Sequence, residues 1–254
     1  MRVTFLGSGT SQGVPVIACN CAVCTSPDIR DNRLRVSVLI EENNKTFVID
    51  TGPDFRYQML RAGVKKLDAV IFTHEHKDHI AGLDDVRAFN YFQQKPMDVY
   101  GHKRVLNSIK REFYYAFDDF KYPGVPAIDL KEISIQPFKV EGVQFTPIEV
   151  MHYKLPVFGF RVNNFTYITD ANAISSAEAE KIKGSEVLVI NALQKDRHIS
   201  HFTLKEAVEF ALKTGVPQTY ITHIGHRMGK HEEVEKELPE GVNLGYDGLV
   251  LDFK

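Results

Sequence analysis

The sequence predicts an α/β fold: two related strand-rich halves with outer helices, in one domain spanning residues 1–254. Three observations predict it. The segment Asn43-Asn44-Lys45-Thr46-Phe47-Val48-Ile49-Asp50 is echoed by Asn163-Asn164-Phe165-Thr166-Tyr167-Ile168-Thr169-Asp170, each a turn, a β-branched and aromatic run, then an acid. Three strand-like runs end in threonine followed by a metal-competent side chain: Phe72-Thr73-His74, Ile168-Thr169-Asp170 and Ile221-Thr222-His223. Gly52-Pro53, Gly63, Gly184 and Gly215 punctuate helix-length stretches, and no flexible linker divides the chain.

The first apolar run, Met1 to Leu6, passes at once into Gly7-Ser8-Gly9, too short for a signal sequence. Val36 to Ile40 is the partner of the strand beyond Asn43-Asn44, and Val157 to Val162 the partner of the strand beyond Asn163-Asn164. Asp68 to Thr73 and Phe145 to Val150 read as further strands. From Lys103 to Phe113 the apolar Val105, Leu106, Ile109 and Phe113 alternate with Lys103, Arg104, Lys110 and Arg111, an amphipathic surface helix opened by His102. Thr203 with Glu206 three residues on is a capping box, and His231 begins a charged helix with a solvated face. Residues 90–133 look least regular. Their aromatics leave three readings open: stacking on a nucleobase or sugar, burying a helix, or a homodimer contact.

The run His74-Glu75-His76-Lys77-Asp78-His79 puts three imidazoles and an aspartate on one loop after a strand, a mixture that borderline cations such as zinc bind. It reads as half of a two-metal hydrolytic site. One loop cannot close two coordination shells, so further ligands are required, and His152, Asp170 and His223 stand where strands end. Taken alone, Asp170 or His152 is weak evidence, because a lone carboxylate after a strand is more often a helix cap or a turn residue. The three cysteines of the chain, Cys19, Cys21 and Cys24, form a C-x-C-x-x-C cluster that argues against a disulfide framework and for a structural zinc. His226 is the expected fourth ligand, closing a Cys3His tetrahedron. The alternative is that the thiols are small buried apolar groups or reactive surface cysteines.

With His74-x-His76-x-Asp78-His79, His152, Asp170 and His223 in place, the chain resembles the metallo-β-lactamase superfamily. The resemblance implies an αββα sandwich in which His74, His76 and His152 hold one metal, Asp78, His79 and His223 the other, and Asp170 bridges them. Cations about 3.5–4 Å apart would then clamp the attacking and leaving oxygens, with a bridging hydroxide as nucleophile. Asp50 could orient a metal-binding histidine. Gly7-Ser8-Gly9-Thr10-Ser11, the cysteine knuckle and Gly82-Leu83-Asp84-Asp85-x-Arg87 are similar to the cyclic phosphodiesterases of phosphonate breakdown. That likeness implies the Cys3His zinc and makes His201 a catalytic general acid beside Asp78. His201-Phe202-Thr203 is also similar to the His-x-Thr element of transfer RNA 3′-processing ribonucleases. The glycine-rich start and the knuckle are similar to a protein associated with pyrroloquinoline quinone formation.

The resulting expectation is a binuclear metal-dependent hydrolase of a small, cyclic or nucleotide-like phosphodiester. Zinc or manganese would fill the catalytic pair and zinc the thiolate site. A transfer RNA-processing ribonuclease, a non-hydrolytic metal-binding or cofactor-maturation protein, and hydrolysis of thioesters or lactams are the alternatives. His198 is read as a surface or supporting group, and Asp84, Asp85 and Arg87 as a helix-start cap or ion pair. With 31 basic against 33 acidic residues the chain has no global excess of positive charge for nucleic acid. No eighteen-residue apolar run suggests a membrane span, and the cytoplasm, where thiolates stay reduced, is the expected location.

Overall fold

A computed structural model describes residues 1–120 and 122–253. Its strands are β1 (Arg2–Gly7), β2 (Ser37–Glu42), β3 (Lys45–Ile49), β4 (Ala69–Ile71), β5 (Met97–His102), β6 (Ile128–Ile133), β7 (Phe138–Val140), β8 (Val143–His152), β9 (Leu155–Val162), β10 (Phe165–Ile168), β11 (Ala173–Ile174), β12 (Val187–Asn191), β13 (Gln218–Thr222), β14 (Val242–Leu244) and β15 (Val250–Asp252). The helices are α1 (Phe55–Arg61), α2 (Lys77–Ile80), α3 (Arg87–Gln93), α4 (Lys103–Glu112), α5 (Ser176–Glu180), α6 (Leu204–Thr214) and α7 (His231–Glu235). One sheet runs β15-β1-β2-β3-β4-β5-β6; the other runs β11-β8-β9-β10-β12-β13-β14, with β7 paired to β8.

The two-residue period of the strands sets the layers. Val38 and Ile40 face the core between the sheets while Leu39 faces away; Phe47 and Ile49 face inward and Val48 outward. In the second sheet Tyr167 and Val189 turn inward, and Ile168, Leu188 and Ile190 outward. Sheets apolar on both faces need a cover on each side. Phe55 and Met59 of α1, Phe89 of α3, and Val105, Leu106 and Ile109 of α4 cover the first sheet. Leu204, Ala207 and Ala211 of α6 cover the second. The result is the αββα sandwich.

Strands β3 to β6 are mutually parallel, as are β10, β12, β13 and β14, so their carboxyl ends line up along one edge of each sheet. The strand-threonine-ligand motifs therefore converge in space, at the edge where sites on parallel sheets form. Asn43, Asn44 and Asn163 turn their hairpins at φ of 51°, 61° and 50°, a left-handed conformation that asparagine tolerates.

Two expectations need correction. Among the described residues of 90–133, α3 ends, β5 and α4 follow and β6 closes the segment, so the expected irregularity is confined to the stretch between α4 and β6. In β5 buried and half-buried residues alternate, because β5 and β6 close one edge of the sheet and are less deeply covered, so their sequence lacks a continuous apolar signal. His231 is 2% exposed, not solvated. Its ring turns inward against the Arg33 guanidinium, whose Nη2 lies 3.1 Å from His231 Nδ1, while Glu232 and Glu233 carry the polar face.

Candidate metal centre

Asp170 stands between two groups of imidazoles and turns one carboxylate oxygen to each. Its Oδ2 lies 3.7 Å from His74 Nε2 and 3.9 Å from His152 Nε2, and its Oδ1 lies 3.4 Å from His79 Nε2 and 3.2 Å from His223 Nε2. His76 Nδ1 is 3.0 Å from His74 Nε2, and Asp78 Oδ2 is 3.2 Å from His79 Nε2 and 3.7 Å from His223 Nε2. Two ligand sets result, His74-His76-His152-Asp170 and Asp78-His79-Asp170-His223. A tetrahedral cation about 2.0–2.2 Å from each ligand holds neighbouring ligand atoms about 3.3–3.6 Å apart, close to the spacing found. His79 Nε2 and His223 Nε2 are buried without a hydrogen-bond partner, a costly state unless a cation takes their lone pairs. The residues fit a pair of divalent metals.

Electrostatics agree. Burial opposes ionisation of Asp78 and Asp170, yet the facing imidazoles hold both far below the usual carboxylate range. Burial likewise opposes a charged His79, but Asp78, Asp170 and Asp50 outweigh it and drive its pKa well above the ordinary value. Burial and the charge on His79 push His74 well below its own. Asp50, Asp78 and Asp170 thus gather negative charge around the imidazoles, charge that divalent cations would balance.

Hydrogen bonds behind the ligands fix which nitrogen faces inward. The Asp50 carboxylate accepts from Thr73 N–H at 2.9 Å, from Thr73 Oγ1 at 2.7 Å and from His79 Nδ1 at 2.7 Å. With its proton on Asp50, Thr73 Oγ1 accepts from His74 Nδ1 at 3.0 Å, and the Ser200 carbonyl accepts from His152 Nδ1 at 2.9 Å. Each bond leaves Nε2 of His74, His79 and His152 free for a cation. Asp50, Asp170 and His223 take positive φ of 64°, 57° and 55°, backbone strain of the sort that gathers at functional positions. Asn191, not singled out from the sequence, clasps the backbone after Asp170: its Oδ1 accepts from Ala171 N–H at 2.7 Å and its Nδ2 donates to Ala171 O at 2.9 Å. The only signal for it was an amide closing the apolar run Val187-Leu188-Val189-Ile190. Glu75 turns away from the cluster to accept from Arg104 Nε at 2.6 Å.

The thiols converge as expected. Sγ of Cys19, Cys21 and Cys24 lie 3.2, 3.5 and 3.5 Å from His226 Nδ1, a closed four-ligand set suited to zinc. The Cys24 N–H, donating to Cys21, lowers the Cys21 thiol to about 6, while burial raises Cys24 to about 11. The glycine-rich loop holds the histidine loop in place: Ile224 N–H donates to Ser8 O and Thr10 N–H to Ile224 O, at 2.9 and 3.1 Å.

His201 belongs to neither ligand set. It lies in the loop before α6, which the Thr203–Glu206 capping box secures, and its ring centroid is 4.7 Å from that of His152 and 4.8 Å from that of His223. Burial and the neighbouring imidazoles bring its pKa down to about 3. His198 lies 5.1 Å from His201, further out. His102 caps α4, Asp84 pairs with Arg87 at 3.4 Å, and neither belongs to the ligand sets.

A family model described as beta-lactamase superfamily domain matches residues 45–224. A solved structure of a diphosphatase from the PhnP family is 39% identical, covers all of this chain and 98% of its own, and superposes with a TM-score of 0.93. A Porphyromonas gingivalis protein named octanoyltransferase is 40% identical over the whole of this chain and 52% of its own length. A ribonuclease Z from Staphylococcus epidermidis is 28% identical over 64% of this chain and 49% of its own length. The chain thus spans about half the length of the curated relatives it matches. No helix among the described residues is long and apolar enough to cross a membrane.

Proposed function

The chain belongs to the metallo-β-lactamase superfamily of metal-dependent hydrolases, in its PhnP-like branch, and from that premise we propose that it hydrolyses small phosphodiesters, bridged diphosphates included. The observation that carries this reading is His201, an imidazole outside both ligand sets that packs against one histidine of each. Divalent cations in the two sets would supply the charge that stabilises phosphoryl oxygens and acidifies water. His74, His76 and His152 with Asp170, and Asp78, His79 and His223 with Asp170, are the residues that would hold them.

Phosphodiester cleavage expels a basic oxygen, and His201 is placed to deliver a proton to it. Burial keeps the free imidazole neutral at pH 7, and the negative charge of a bound phosphate favours its protonation as the reaction begins. A positioned general acid of this kind contributes typically about 10²–10⁴-fold. Asp78 differs from Asp50 and Asp170 in having a partly exposed side chain. Held ionised by His79 and His223, it orients water as an acceptor instead of taking up its proton.

The relatives named diphosphatase and ribonuclease Z support phosphorus as the centre attacked. The octanoyltransferase name describes a protein about twice as long, and no thiol joins the imidazoles and carboxylates gathered here. The experiment is turnover of bis(p-nitrophenyl) phosphate by zinc- or manganese-loaded protein. We expect the His76→Ala variant to lose turnover together with bound metal, and the His201→Ala variant to keep its metal and much of its turnover of this weakly basic leaving group while kcat on a 2′,3′-cyclic nucleotide, which expels an alkoxide, falls about 100-fold or more. Wild-type protein with filled sites and no turnover would overturn the reading.

A further inference from the structure

Four hairpins of the second sheet and its neighbour turn on two residues, and one of them differs in kind. Asn43-Asn44, Glu141-Gly142 and Asn163-Asn164 each carry asparagine or glycine, as the left-handed backbone of such turns requires. The fourth, Tyr153-Lys154, joins β8 to β9 directly after His152 and places a tyrosine at φ 58°. A bulky residue is disfavoured there, and this one leaves 49% of its surface open to solvent, so its ring does not repay the strain by packing in a core. The Lys154 ammonium lies 5.4 Å from the Tyr153 ring centroid.

This turn is bound to the segment that carries His201. The Asn172 carboxamide accepts from Tyr153 N–H at 2.8 Å and donates to the Ile199 carbonyl at 3.1 Å, and His152 Nδ1 donates to the Ser200 carbonyl. Ile199 is 65% exposed, and His198 Nδ1 accepts from Ser200 N–H at 3.4 Å, which leaves Nε2–H as a donor. The exposed Tyr153-Lys154 turn is therefore tied, with exposed Ile199 beside His198, to the segment that leads into His201, and the two form one ledge.

A general acid must touch the leaving oxygen, so the group attached to that oxygen has to pass His201 on its way to solvent. We propose that this ledge receives the outgoing half of the substrate and that this half is a nucleotide, its flat base stacking on Tyr153 beside Ile199 and its anion held by Lys154 and His198. The assignment rests on the phosphodiesterase reading for its chemistry, but the ledge can be tested without turnover.

The probes are diadenosine diphosphate, whose leaving group is AMP, and bis(p-nitrophenyl) phosphate, which has no nucleotide. AMP binding to the metal-loaded protein is followed by calorimetry. Loss of one base–aromatic stack costs about ten-fold or more in affinity. The Tyr153→Asn variant should weaken AMP by that factor and lower the preference for the dinucleotide over the nitrophenyl ester about as much. Because asparagine suits the turn, the same variant should melt higher, by about 2 °C, so stability and selectivity move in opposite directions. Tyr153→Phe should retain AMP binding, and Lys154→Ala should lose part of it. Unchanged AMP affinity in Tyr153→Asn, or a parallel fall in melting temperature and in both activities, overturns the proposal. Tyr153-dependent AMP binding by a protein that cleaves neither ester would leave the ledge standing and remove the reaction.

Discussion

The Asp50 carboxylate accepts a hydrogen bond from His79 Nδ1 at 2.7 Å, both groups wholly buried. It also takes the two protons offered by Thr73, and Thr73 in turn receives His74. A single acid thus sets the ring orientation of one histidine in each ligand set.

Replacing Asp50 by asparagine would present an amide N–H to His79 Nδ1 and move the ring proton to Nε2, where a cation needs a lone pair. The Asp50→Asn variant should bind metal about 10–100-fold more weakly at the catalytic pair, measured by competition with a chromophoric chelator. Undiminished affinity would mean that His79 is oriented by the loop alone.

His223 and His226 lie on one short loop, and Ile224 between them is hydrogen-bonded on both sides to the glycine-rich segment. A zinc held at the thiolate cluster would therefore brace His223 of the Asp78-His79-Asp170-His223 set. The Cys21→Ala variant should lose the thiolate-bound metal and lower occupancy of the catalytic sites in metal analysis after dialysis. Normal occupancy there would separate the two centres.

Much of the site was legible because its ligands announce themselves locally. His74, Asp170 and His223 each follow a threonine at the end of a parallel strand, and parallel strands bring such positions together. Asp50 was readable through its echo of Asp170. The groups that aim and brace these segments were not legible: Asn191 and Asn172, with two hydrogen bonds each, and the Ser200 carbonyl reach across 20, 19 and 48 residues, with no pattern in the chain to mark them. The echo between the hairpins at Asn43-Asn44 and Asn163-Asn164 disclosed two strand-rich halves, and the resemblance implied the sandwich, whereas β5 and β6 were hidden by shallow cover at the sheet edge. His231 was misread for a related reason, since acidic neighbours on a helix say nothing about a first residue that turns inward.

Thr203 closes the loop that carries His201: its side chain caps α6 by accepting from Glu206 N–H at 3.2 Å, while Glu206 accepts from Thr203 N–H at 2.8 Å. Thr203→Ala should cost about 1 kcal/mol in denaturant unfolding, the usual worth of such a cap. It should also lower kcat more than it raises KM, because it loosens the acid and not the ligand sets. A stability loss with kcat intact would show that His201 is held by its packing against His152 and His223.

His231 gives the fold an acid-sensitive point outside the ligand sets. Burial first, then the charges of Arg33 and Arg30, bring its pKa down to about 4, against an ordinary value near 6.5, while Asp28 and Asp31 pull the other way. Its backbone N–H donates to Asp31, and Glu235 stands 3.9 Å from its Nε2. Between pH 6.5 and 4 the unfolded chain binds a proton that the folded one refuses, so stability from this residue is present above pH 6.5 and drains away as pH falls toward 4. Below that the ring must charge against the buried Arg33 guanidinium, and their 3.1 Å hydrogen bond is lost. In His231→Gln an amide oxygen can still accept from Arg33 but cannot titrate. The difference in melting temperature between wild type and this variant should therefore be constant above pH 7 and shift by several degrees in favour of the variant on going to pH 4. Parallel melting curves across that range would mean that His231 is protonated in the folded state and that Arg33 has another partner.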